Sequence, residues 1–304
     1  MKHVIIGSRG SDLALWQAYF VKSELERLGC SVDLNIIKTQ GDKIQHLSFD
    51  KLEGKGFFTK EIEDALLSKT VDLAVHSHKD LETNPPAGLT ISCVSERANP
   101  ADILLINKNA VDTSAKWNLK HGAIVGTSSA RRKSQMLKYR ADVEINDLRG
   151  NVPTRINKLR QGNYDAILLA KAGIDRLEID LSEFEEIVMD PTEFVPAPAQ
   201  GVLGLQIRSE DSELHEVLQN LNFPEVQKRI GLERKVLNLL DGGCQLPLGV
   251  YCNEANELYV SFAEGVNGAC HSLNYSVTEF DGMAEKVIED LKQKIAVGSS
   301  DFHI

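Results

Sequence analysis

The chain has 304 residues, with 34 Lys and Arg against 44 Asp and Glu, a formal charge of −10 and a pI near 5.4. Hydrophobic residues make up 42% and charged residues 26%, which suits about two globular domains, or three smaller ones, and excludes long disorder and low complexity. So acidic a chain is a poor general binder of nucleic acid or membrane surfaces, which select basic faces.

The chain opens as a βα unit: Val4-Ile5-Ile6 is a short apolar strand, 7–10 a turn, and Leu13, Trp16, Phe20 and Leu28 recur near helical spacing until Gly29. Apolar runs at 34–37, 71–75, 103–106, 124–125, 143–145 and 167–169 alternate with helix-like stretches, which predicts parallel α/β sheets. Asn99-Pro100 and the proline-rich stretch 194–200 mark two boundaries, because proline resists the interior of helices and central strands. After Pro224 a long helical pattern runs through Leu240 and breaks at Gly242-Gly243. Apolar–polar strands at 248–251, 258–262 and 273–277, then a helix at 283–295, predict a smaller α+β domain with an antiparallel sheet.

Five cysteines (Cys30, Cys93, Cys244, Cys252, Cys270), odd in number and without C-x-x-C spacing, argue against a disulfide framework or a zinc ribbon and for a reducing compartment. Arg9 and Asp12 interrupt any export-signal core, and apolar stretches such as Ala166–Ala170 are far shorter than a bilayer span. The expected location is the cytoplasm.

Charge is unevenly spread. Between Gly126 and Arg160 stand nine basic residues (Arg131, Arg132, Lys133, Lys138, Arg140, Arg149, Arg155, Lys158, Arg160) and three acidic ones, whereas 177–207 holds seven acidic residues and no Lys or Arg. A solvated basic helix face is one reading; the arginine-rich composition favours another, since planar guanidinium forks suit carboxylates and phosphates. Gly126-Thr127-Ser128-Ser129 follows an apolar run and precedes a helix, so its hydroxyls either cap that helix or help to bind an anion at its N-terminus. Leu148-Arg149-Gly150-Asn151 is a second such turn, before a helix bearing Arg155. Ligands of open α/β sheets collect at such strand ends.

Gly54-Lys55-Gly56-Phe57-Phe58 lacks the spacing of a nucleotide phosphate loop and reads either as a mobile lid or as ordinary core aromatics. In His76-Ser77-His78-Lys79-Asp80, strand alternation puts both histidines on one face, but no third ligand at convincing spacing supports a metal. Asp80 beside Lys79 is a carboxylate at a strand end, suited to holding a cation or moving a proton, or merely to forming a turn. Asp241-Gly242-Gly243-Cys244-Gln245 sets a thiol in a glycine-bounded loop; in isolation such a thiol is most often buried and inert.

Taken in order, these motifs resemble the hydroxymethylbilane synthase family, also called porphobilinogen deaminase. The matching segments also include Gly7-Ser8-Arg9, Leu13-Ala14-Leu15-Trp16-Gln17, Ala172-Gly173-Ile174-Asp175-Arg176-Leu177 and Ala199-Gln200-Gly201, and they run from near residue 5 to near residue 250; the last fifty residues match only in general pattern. The resemblance implies a transferase that joins four porphobilinogen molecules head to tail, with loss of ammonia at each step, and then hydrolyses off the linear tetrapyrrole for haem biosynthesis. It implies a covalent dipyrromethane primer in thioether linkage to Cys244, and catalysis by Asp80. An ionised Asp80 would stabilise the azafulvenium-like cation left when ammonia departs. Every ring carries an acetate and a propionate, so the implied binding positions are Arg9, Ser11, Gln17, Lys55, Phe58, Ser77, Lys79, Thr127, Ser128, Ser129, Arg131, Arg132, Arg149, Gly150, Arg155, Arg176 and Gln200.

The implied fold is two similar α/β domains of periplasmic-binding-protein type facing a cleft, plus a smaller α+β domain. The expected division is 1–99 with about 195–219, then 100–194, then 220–304 carrying the cysteine loop. A cytoplasmic monomer is expected, with transient hand-over of product to the next tetrapyrrole enzyme and no metal, nucleic-acid or membrane partner. His78 departs from the pattern the resemblance implies, which usually has an apolar residue such as Met or Leu there, and a packing role is expected of it. The competing reading is a two-domain anion-binding protein without chemistry, which the Gly-Gly-Cys244 loop disfavours.

Overall fold

The computed structural model describes residues 2–39, 59–240, 246–266 and 268–300, with side chains to residue 296. Its elements are β1 (His3–Ser8), α1 (Asp12–Arg27), β2 (Ser31–Ile36), α2 (Lys60–Leu67), β3 (Leu73–Ser77), β4 (Leu89–Val94), β5 (Asp102–Asn107), β6 (Ile124–Gly126), α3 (Ala130–Tyr139), β7 (Glu144–Asn146), α4 (Val152–Arg160), β8 (Ala166–Ala170), α5 (Lys171–Leu177), β9 (Phe184–Val188), β10 (Leu203–Arg208), α6 (Ser212–Gln219), α7 (Pro224–Leu239), β11 (Leu248–Cys252), β12 (Glu257–Ala263), β13 (Cys270–Ser276) and α8 (Met283–Ser300).

Two compact units result. One comprises Met1–Asn99, Ala172–Glu178 and Gln200–Lys228; the other comprises Pro100–Lys171, Ile179–Ala199 and Arg229–Ile304. The first contains a five-stranded sheet of order β2-β1-β3-β10-β4, and the second a sheet of order β7-β6-β8-β5-β9. In each, three neighbouring strands are parallel and the fourth position runs antiparallel to both its neighbours. Both sheets are therefore mixed, not purely parallel as the alternating pattern predicts. The reason is connectivity: after β4 the chain enters the second sheet as β5, and after β9 it returns to the first as β10.

The first core forms because one stripe of α1 (Ala18, Val21, Leu25) meets Val4 and Ile6 of β1, Val32 of β2 and Leu73 and Val75 of β3, all essentially buried. Each such aliphatic side chain contributes about 1.5–3 kcal/mol by leaving water. In the second unit Leu104, Ile106, Val125, Leu168, Met136 and Phe194 build the equivalent layer. The antiparallel sheet β11-β12-β13 also lies in this unit and packs Val250, Leu258 and Val260 against Val287 and Leu291 of α8. Most of the proline-rich stretch, up to Ala199, lies in the second unit: the Val195 backbone exchanges hydrogen bonds with the Gln135 side-chain amide, and Val250 N donates to Pro196 O at 3.0 Å.

Candidate functional site

In the first unit, β3 ends at Ser77 and His78–Asp80 forms a 3₁₀ turn. Strand alternation therefore stops before His78, and the expected pairing of His76 with His78 on one strand face does not extend through the motif. His76 stays in the sheet, buried, with Nε2 3.0 Å from Gln206 Oε1. Gln206 Nε2 in turn donates to Glu63 Oε1 at 3.0 Å. Burial drives the His76 pKa down to about 4; the Gln206 bond opposes this and the charge of Arg9 adds to it. His78 is buried, and its ring fills the space a Cβ on Gly204 would need, with Cδ2 at 3.0 Å.

Around this turn the structure gathers several of the expected residues. Gln17, buried on α1, donates from Nε2 to Ser77 Oγ at 2.9 Å, tying the helix to the strand end. Lys79 Nζ donates to Oε1 of the fully buried Gln200 at 3.3 Å. The Asp80 carboxylate is exposed and takes no hydrogen bond among the described residues. Ser11 occupies the N-cap of α1 without a side-chain capping bond, and Arg9 is half-buried just before it. Arg176, on α5, donates from Nη2 to Gly201 O at 2.8 Å and stands over the Trp16 ring. Burial brings its pKa down to about 10, partly offset by Asp175. Gly201 has φ +92°, and a Cβ there would sit 2.5 Å from Ala98 O, so only glycine allows the chain to pass.

The second unit supplies two strand-end turns joined by hydroxyls. Ser129 caps α3 by accepting from Arg132 N at 3.4 Å. Thr127 Oγ1 accepts from Ser129 N at 3.3 Å, and Ser128 Oγ both donates to Leu148 O and accepts from Leu148 N, each at 3.0 Å. The β6 turn is thereby stitched to the Arg149-Gly150 turn. Arg155 Nε donates to Gly150 O at 2.7 Å, and Lys158 Nζ to Arg149 O at 3.0 Å. Gly150 has φ +112°, and a Cβ there would meet Thr154 Cγ2 at 2.6 Å. Arg149 and Arg155 are half-buried cations at this turn.

Arg131 and Arg132, both among the expected binding residues, are engaged with an internal carboxylate. Both are about 5% exposed and close on Asp102, which is 0% exposed. Arg131 Nη1 donates to Asp102 Oδ2 at 2.6 Å; Arg132 donates to Oδ1 from Nη2 at 2.8 Å and from Nε at 3.2 Å. Further bonds run from Arg131 to Val195 O and from Arg132 to Leu168 O. Burial by itself opposes ionisation of Asp102, but the two guanidiniums outweigh it and hold the carboxyl well below the usual range. The trio thus carries one net positive charge. Sequence reasoning missed Asp102, although an acid opening the apolar run Ile103-Leu104-Leu105-Ile106 signals a buried cation partner. Lys55, Phe58 and Cys244 lie outside the described residues, as does the expected lid.

Residues 4–216 match the family model described as porphobilinogen deaminase, dipyromethane cofactor binding domain. The chain belongs to the porphobilinogen deaminase family. It is 47% identical over 251 residues to the porphobilinogen deaminase of Nitratidesulfovibrio vulgaris (strain DP4), covering 82% of this chain and 78% of that protein. It is 40% identical over 311 residues to that of Chloroherpeton thalassium, covering 99% and 96%, and 42% identical over 300 residues to that of Gloeobacter violaceus, covering 95% and 90%. Membership makes it a transferase, a hydroxymethylbilane synthase that uses a dipyrromethane cofactor, and sets aside anion binding without chemistry. Among solved structures, an ancestral cationic amino acid solute-binding protein aligns with TM-score 0.44 at 14% identity over 72% of this chain and 87% of that one. Among the described residues no helix is long and apolar enough to cross a membrane.

Proposed function

We propose that this porphobilinogen deaminase extends a primer attached at Cys244, with Asp80 as the carboxylate that serves each condensation. The observation that carries the reading is the exposed Asp80 carboxylate, without a hydrogen bond among the described residues, on a turn whose neighbours are anchored, Ser77 to Gln17 and Lys79 to Gln200. An anion so placed stabilises positive charge as ammonia leaves porphobilinogen and accepts the pyrrole proton afterwards.

The donor set suits a group bearing acetates and propionates. Arg149 and Arg155 supply forks at a turn opened by Gly150; Thr127, Ser128 and Ser129 brace it, and the Arg131–Arg132–Asp102 trio adds one net positive charge. Arg9, Ser11, Lys55, Phe58 and Arg176 complete the proposed set. When bound, the dipyrromethane supplies the pyrrole terminus from which the product is built. Attachment at Cys244 is supported by three of the other thiols: Cys30, Cys93 and Cys252 are buried, and burial pushes Cys93 up to about 12, while Cys270 is half-buried and bonded to Ser261 Oγ at 3.3 Å. We also propose the three-domain division 1–99 with about 195–219, 100–194 and 220–304, and a cytoplasmic monomer that hands its product to the next tetrapyrrole enzyme.

Intact-protein mass spectrometry tests the reading. The resting enzyme should be heavier than its sequence by two pyrrole units, lost in Cys244→Ser, and limiting porphobilinogen should give discrete species one, two and three rings heavier. Added mass on Cys30, Cys93, Cys252 or Cys270, or no ladder at all, would refute it.

A further inference from the structure

Trp16 is a large aromatic that the described core beneath α1 does not include. The cluster beneath α1 takes Ala18, Val21 and Leu25 from the helix, and Trp16 remains half-buried outside it. Its indole is held by Phe20 one helical turn on, with ring centroids 5.5 Å apart and planes 4° from parallel. Above the indole lies the Arg176 guanidinium, its Cζ 5.7 Å from the ring centroid, within the range of a cation–π contact.

Arg176 is a half-buried cation held by two neutral contacts, the Trp16 face and Gly201 O, which accepts from Nη2 at 2.8 Å, with Asp175 acting on it only as a nearby charge. Gly201 O also accepts from Ala98 N at 3.1 Å, so that anchor is itself fixed. One hydrogen bond pins a single vertex of a planar fork and leaves its plane able to swing. A face contact fixes the plane, and it does so without using an N–H, so the fork keeps donors for an anion.

We propose that Trp16 is a positioning residue that sets the plane of Arg176 for a carboxylate of the growing tetrapyrrole. This rests on the reading of Arg176 as a ligand-binding arginine, and the experiment separates the two. On the holoenzyme, Trp16→Met keeps apolar bulk but removes the π face, and it should raise KM for porphobilinogen roughly three- to tenfold while leaving kcat within about twofold. Trp16→Tyr should return KM to near the parental value. In an Arg176→Leu background, itself raised in KM, Trp16→Met should add less than about twofold, because its effect passes through the missing guanidinium.

A parental KM in Trp16→Met would overturn the proposal, as would a fall in kcat alone, a Tyr variant as impaired as the Met variant, or fully multiplicative effects in the double variant. A parental KM in Arg176→Leu would instead remove the reading of Arg176. Primer mass, measured on every variant, excludes loss of cofactor as the cause.

Discussion

Replacing Asp102 by asparagine keeps its shape and removes one negative charge from a point with no solvent exposure. Arg131 Nη1 at 2.6 Å and Arg132 Nη2 at 2.8 Å would then face a neutral amide, half of which is itself a donor. Breaking a buried pair by deleting one partner costs about 3–5 kcal/mol, because the surviving charge stays out of water. With each kcal/mol worth roughly 2–4 °C in a protein of this size class, Tm should fall by roughly 6–20 °C. Urea unfolding of holo-protein, followed by circular dichroism, measures the loss directly. The pH dependence adds a second check: the Asp102 carboxyl is depressed in the folded state, so its contribution is present above the unfolded value and lost as pH falls below about 4. Acid destabilisation in that range should be shallower in Asp102→Asn than in the parent. A loss smaller than about 1 kcal/mol, the scale of an exposed pair, would refute the buried-pair argument.

Asp80→Asn should leave the fold intact and lower turnover more than tenfold, measured by oxidising the product to porphyrin; a variant keeping a tenth of parental activity would move the proton chemistry elsewhere. His76 has its folded pKa lowered from 6.5 to about 4, so the unfolded chain binds more protons between those values and stability falls as pH drops through them, by on the order of 3 kcal/mol in full. His76→Gln should flatten that part of the stability profile, and an unchanged slope would show that other groups produce it. Gly150→Ala combines φ +112° with a 2.6 Å approach to Thr154 Cγ2, so it should cost about 1–3 kcal/mol and weaken primer retention, checked by unfolding and intact mass.

Local pattern went far at the first strand and helix. The predicted strand and helical run match β1 and α1 (Asp12–Arg27) in extent, and Gly29, at φ +84°, ends the turn that follows; the stripe that meets the core, however, is Ala18, Val21 and Leu25, while Phe20 and Leu28 of the predicted stripe are exposed. It did less well at β4, β9 and β10, which the sequence reading did not identify. Phe184–Val188 reads as an acidic stretch because only alternate residues are covered, and Leu203–Arg208 follows a segment dominated by prolines. The hydroxyls after β6 show the same limit: local sequence allows both a cap and an anion donor, and in the fold Ser129 caps α3 while Ser128 bonds both backbone groups of Leu148.

What the sequence determined by itself were the features that depend on residues close together along the chain: amphipathic stripes, turn glycines, and ordered motifs such as His76-Ser77-His78-Lys79-Asp80 that carry the family resemblance. What only the tertiary structure decided were the pairings between distant positions. Asp102 lies 29 and 30 residues from the arginines it holds, and His76 lies 130 residues from Gln206. The mixed order of the first sheet likewise follows from β10, which comes after the whole second sheet, inserting antiparallel between β3 and β4, and that of the second from β5 lying antiparallel between β8 and β9. The physical reason is burial. A charged or polar side chain pairs according to which other groups lose water with it, and that is set by how the elements pack, not by their spacing in sequence.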